Sequence, residues 1–199
     1  MRDSLNVAQV AAARPDYMGF IFYPPSPRDC SGTDPSVVRQ LPSEVTPVAV
    51  TVNMDTASIL RLTDKYGFRI VQLHGDESPE MCGNLKREGL TVFKAIGIKD
   101  EESLRKINEY EGCVDMFVFD TSSAARGGTG KKFDWNLLER YSGTTPFLLS
   151  GGISPEDASL IKKFSHDRMA GIDLNSKFES APAIKDVALL GNFIKQIKI

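Results

Sequence analysis

The sequence predicts a parallel α/β fold of the (β/α)8 barrel type, carrying seven strands and eight helices because the first barrel strand is absent from this chain. Three observations lead there. Short β-rich segments alternate with amphipathic ones along the chain. The strand segments are nearly continuous apolar runs, as expected where helices cover one face of a sheet and a packed interior fills the other. Several helix starts pair a capping side chain with a proline at the first helical position. An open doubly wound sheet is the competing arrangement, but the order α(βα)7 fits the TIM barrel with its first strand missing.

In order, the pattern predicts a helix over residues 4–13 and a strand over 17–22. Asp34 beside Pro35 opens a helix over 35–41, followed by a strand over 48–52, a helix over 56–66 and a strand over 70–73. Ser78 beside Pro79 opens the next helix, 79–88, before a strand over 92–96, a helix over 101–109 and a strand over 116–119. A helix over 135–141 and a strand over 147–149 follow. Ser154 beside Pro155, with Asp157 at capping-box spacing, starts a helix over 155–164. A strand over 170–173 and a helix over 184–197 end the pattern. No linker or repeat divides it, so residues 1–199 are expected to form one domain.

Composition narrows the function. Lys plus Arg number 24 against 26 Asp plus Glu, a net charge of −2 with no block of like charges, so no nucleic-acid partner is expected. Apolar runs fall far short of the ~20 residues of a membrane span, and no apolar signal core opens the chain, which places it in the cytoplasm. Cys30, Cys82 and Cys113 lack metal-ligand spacing, so no metal or cofactor is expected and the cysteines read as reduced structural thiols.

Barrels of this type build their sites at the carboxyl ends of the strands. There, Arg28 lies in the proline-stiffened segment Tyr23-Pro24-Pro25-Ser26-Pro27-Arg28, suited to a carboxylate or phosphate; an exposed loop arginine is the equal alternative. His74 follows the strand over 70–73 and is either a rim residue or a ligand and proton carrier. Asp120 closes the run Met116-Phe117-Val118-Phe119, where desolvation favours a general acid; a loop-bracing aspartate is the alternative. The glycines of Arg126-Gly127-Gly128-Thr129-Gly130-Lys131 permit close approach to a ligand, although the spacing is not that of a nucleotide-binding P-loop. Gly151 and Gly152, with Asn175, Ser176 and Lys177, occupy the usual phosphate position of such barrels. His166 falls at a helix end and carries no functional expectation.

Taken together, Gly19-Phe20-Ile21-Phe22-Tyr23-Pro24, Ser26-Pro27-Arg28, Gln72-Leu73-His74-Gly75, Phe119-Asp120-Thr121, Gly127-Gly128-Thr129-Gly130-Lys131, Phe133-Asp134-Trp135 and Leu149-Ser150-Gly151-Gly152 run in the order of the phosphoribosylanthranilate isomerase family, which the sequence closely resembles. The resemblance implies a cofactor-free isomerase of tryptophan biosynthesis that converts N-(5-phosphoribosyl)anthranilate from aminoaldose to aminoketose. It implies Asp120 as general acid and Arg28 as the holder of the anthranilate carboxylate. It places His74, Gly128 and Gly130 against the substrate, and Gly151, Gly152, Asn175 and Ser176 against its phosphate. The family's general base is a cysteine in a Cys-Gly segment directly ahead of the first helix, expected to lie before Met1, so reduced activity is expected of this chain. Cys30 is a remote substitute. Asp173-Leu174-Asn175-Ser176-Lys177-Phe178-Glu179 departs from the family's usual serines and glycine. A catalytically silent phosphosugar-binding barrel is the alternative function, and a monomer or a homodimer formed through open strand edges are both compatible with the pattern.

Overall fold

A computed structural model describes residues 1–121 and 134–197. Its centre is a seven-stranded parallel sheet in the order β1-β2-β3-β4-β5-β6-β7, so each strand pairs with its neighbours in sequence. The strands are β1 (Tyr17–Phe22), β2 (Thr46–Thr51), β3 (Ile70–Leu73), β4 (Thr91–Ile98), β5 (Met116–Thr121), β6 (Phe147–Leu149) and β7 (Met169–Ile172). The helices are α1 (Ser4–Ala11), α2 (Pro35–Arg39), α3 (Thr56–Tyr66), α4 (Pro79–Arg87), α5 (Glu101–Ile107), α6 (Ala158–Lys163) and α7 (Val187–Ile197). None of the described helices is long and apolar enough to cross a membrane.

Side chains alternate between the two faces of the sheet. Val48, Val50, Ile70, Phe93, Ala95, Val118 and Leu148 pack together on the inner face, while Phe20, Val71, Val92, Phe117, Phe119 and Leu149 belong to the larger core shared with the helices. The sheet curls. Tyr17 of β1 meets Phe93 of β4 edge to face at 5.4 Å across the concave side, and α1 packs against α7.

The capping signals hold where they were read: Asp34 accepts from Ser36 N, Ser78 accepts from Met81 N, and Ser154 with Asp157 forms a capping box. Some helical expectations do not: residues 108–110 and 155–157 are 3-10 turns beside α5 and α6. Residues 135–140 form a 3-10 helix rather than an α-helix, since only six residues separate the capping Asp134 from extended Tyr141, and segments this short favour the tighter winding. The last helix begins at Val187, not at 184. Ile184–Lys185 instead forms β9, antiparallel to β8 (Glu179–Ala181), because Asn6 clamps the Lys185 backbone with two hydrogen bonds of 2.9 Å that hold it extended.

Candidate active site

Inner-face alternation decides which polar residues meet at the carboxyl ends. Ile70 faces inward, so Gln72 and His74 follow; Val118 brings Asp120, and Leu148 brings Ser150. His74 Nε2 lies 3.6 Å from Asp120 Oδ2, and Gln72 Nε2 approaches His74 Nδ1 at 3.3 Å. Asp120 Oδ1 accepts from Thr121 N at 2.7 Å, which fixes its carboxylate. The expected acid and histidine are thus brought together.

Gly151 packs against Asp120 and Thr121. Its φ is +87°, and a Cβ there would meet Thr121 N at 2.5 Å and Asp120 Oδ1 at 2.8 Å, so a side chain is excluded by backbone conformation and by space. Gly152 also has a positive φ, +68°. Ser150 Oγ donates to Asp173 Oδ2 at 2.9 Å. Burial raises the Asp173 pKa, against the lowering effect of the Ser150 hydrogen bond; the Asp120 charge raises it further, while Lys185 and His74 lower it. Asp173 follows β7 much as Asp120 closes β5, a position the sequence pattern leaves without a role.

The loop carrying His74 rests on a buried ion pair. Glu77 accepts from Asn53 N at 2.7 Å, Gly75 N at 2.9 Å and Lys94 Nζ at 3.1 Å; Lys94 also donates to Leu73 O, Gly75 O and Ala95 O at 3.2, 2.8 and 3.2 Å. Gly75 sits against Asn53, whose backbone N lies 2.8 Å from where a Cβ would stand.

Arg28 reaches the last loop. Its Nε and Nη2 form a fork on Glu179, at 2.9 Å from Nε and 2.7 Å from Nη2 to Oε2. Glu179 Oε1 accepts from Lys185 Nζ at 3.2 Å, and Lys185 continues to Asn175 O at 3.1 Å and Oδ1 at 2.7 Å. Burial opposes ionisation of Glu179, but Arg28 and Lys185 together hold its pKa below the ordinary value. Ser176 opens a single 3-10 turn, Ser176–Phe178, and Lys177 is exposed. Gly128 and Gly130 lie outside the described residues.

Cys30 and Cys82 make poor bases. Cys30 Sγ donates to Ile21 O at 3.0 Å, and burial pushes its thiol up to about 12. Cys82 stands in a Cys-Gly pair, but on α4, with burial raising its thiol to about 11. His166 has both ring nitrogens engaged at the amino end of the sheet, at 3.1 Å from Tyr141 O and 3.0 Å from Arg168 N.

A family model described as "PRAI: N-(5'phosphoribosyl)anthranilate (PRA) isomerase" matches residues 2–196. An N-(5'-phosphoribosyl)anthranilate isomerase of Phocaeicola vulgatus is 45% identical over 198 residues, spanning 100% of this chain and 95% of the relative. The crystal structure of phosphoribosyl anthranilate isomerase from Thermotoga maritima is similar with a TM-score of 0.89 and 31% identity, covering 100% of this chain and 95% of that one. A phosphoribosyl anthranilate isomerase in complex with reduced 1-(o-carboxyphenylamino)-1-deoxyribulose 5-phosphate gives a TM-score of 0.86 at 29% identity, with the same coverage of 100% and 95%.

Proposed function

The chain belongs to the N-(5'-phosphoribosyl)anthranilate isomerase family, the isomerases of tryptophan biosynthesis, and on that premise we propose that its mouth performs the Amadori rearrangement of N-(5-phosphoribosyl)anthranilate with Asp120 as general acid. The observation that carries this reading is the 3.6 Å approach of Asp120 to His74 at the inner carboxyl end of β5. Asp120 gives its proton to the furanose ring oxygen. The ring C–O bond breaks and nitrogen's lone pair forms the iminium, which acidifies the neighbouring C2 proton. A base takes that proton, and the resulting enolamine tautomerises to the aminoketose.

Arg28 holds the anthranilate carboxylate, its guanidinium already oriented by Glu179. Gly151, Gly152, Asn175 and Ser176 receive the phosphate, and Gly128 and Gly130 complete the substrate contacts. Asp173 lies within the electrostatic reach of Asp120 and His74, and burial raises its pKa.

The finer fold reading is an eight-stranded barrel in which a further parallel strand, carrying the family's Cys-Gly base, stands between β1 and β7. These strands are the two ends of the sheet order, and such edges also offer a route to self-association. The test uses a chain extended upstream to include that strand. Asp120→Asn there should lower turnover by ~10²–10⁴ while affinity for the reduced aminoketose analogue stays within a few-fold. Unchanged turnover would remove Asp120 from the mechanism. Equal turnover and thermal stability of the short and extended chains would sink the added strand.

A further inference from the structure

Lys185 is a buried cation with three acceptors from two residues, and its place is set from both sides by Asn6, which donates to its carbonyl and accepts from its N–H. An ammonium group has donors and no acceptor, so the atom of the Asn175 amide that faces it at 2.7 Å is necessarily the oxygen. The amide NH2 is therefore turned away, presented as a donor. Lys185 also holds the Asn175 carbonyl at 3.1 Å, so one ammonium group fixes both the main chain and the amide of Asn175. The remaining Lys185 bond goes to Glu179, which grips Arg28 through the fork of Nε and Nη2.

From this chain of contacts we infer that Lys185 is a positioning residue for both ends of the substrate: through Asn175 it orients an amide donor for the phosphate, and through Glu179 it holds Arg28 for the anthranilate carboxylate. The inference rests on the proposed assignment of those two subsites. It differs from a merely structural contact in requiring one side chain to control two ligands that do not touch it.

Two half-ligands, inorganic phosphate and anthranilate, separate the roles when titrated calorimetrically into the full chain. Asn175→Ala should weaken phosphate at least fivefold and leave anthranilate within twofold. Arg28→Lys should do the reverse. Lys185→Met should weaken both at least fivefold, and Glu179→Gln should weaken anthranilate more than phosphate. A Lys185→Met chain that melts earlier yet keeps both affinities within twofold, or loses only one, overturns the inference. Should that variant not fold, Lys185→Arg keeps the charge but forces the fork of a guanidinium into the site. Both affinities should then fall at least threefold, and two unchanged affinities overturn the inference equally. If the unaltered chain binds neither half-ligand nor the reduced aminoketose analogue, the subsite assignment itself falls and the inference with it. If it binds them and the Lys185 pattern fails, the subsites stand.

Discussion

Two buried charge clusters support the site, and they are built on opposite plans. Glu77 and Lys94, with side chains 1% and 3% exposed, are satisfied largely by backbone groups of the loop they support. Arg28, Glu179 and Lys185 come from the loop after β1, from β8 and from β9, and exposure rises from 5% at Glu179 to 17% at Arg28. The first cluster is sealed and fixes the shape of one loop. The second joins distant parts of the chain and opens towards the mouth. Desolvated charges enclosed by main chain serve rigidity, whereas a network ending at the 17% exposed Arg28 keeps a partly accessible guanidinium.

This contrast predicts a ranking of effects. Lys94→Met leaves Glu77 buried without its cation and should cost ~3–5 kcal/mol, lowering the thermal midpoint by ~6–20 °C. A midpoint within ~2 °C of the unaltered chain would show that the cluster is not sealed. Gly75→Ala drives a methyl group into Asn53 and should cost ~1–3 kcal/mol, read as a lower urea midpoint at an unchanged slope. Arg28→Lys removes the two-pronged contact with Glu179 but keeps a charge near it, so a loss of ~1 kcal/mol is expected, smaller than at Lys94. A larger loss than Lys94→Met would invert the comparison.

The smallest effect is a pH dependence with a defined sign. Asp173 has a folded pKa raised above the ordinary 3.8, so its stabilising contribution is complete below that value and is lost as pH rises through the raised one. Glu179 is shifted below the ordinary 4.5, so its contribution is present above that value and lost as pH falls through the lowered one. Asp173→Asn should therefore raise the thermal midpoint at pH 7, and the gain should shrink as pH falls through the raised pKa and be gone below 3.8. A gain that is constant across this range would assign the effect to packing.

The strand positions and the proline-marked caps were legible because each depends on neighbours a few residues away. Hydrophobic periodicity and capping chemistry are local. The ribbon of β8 and β9 was not legible: Ile184 to Ile197 reads as one apolar helix until Asn6 takes the Lys185 backbone from a distance of 179 positions. The Arg28 fork with Glu179 spans 151 positions and carries no spacing signal at all. Asp173 could have been found by the criterion that found Asp120, since both emerge where an inner-face strand ends.

The sheet order has a consequence for synthesis. Every strand of the described sheet pairs with a sequence neighbour, so pairing can proceed stepwise as the chain leaves the ribosome, each step closing a short loop at modest entropic cost. The seam between Asn6 and Lys185 is different. It waits until residue 185 has emerged and then closes against a nascent sheet already in place, so the cation that organises the mouth is also among the last groups to find its partners.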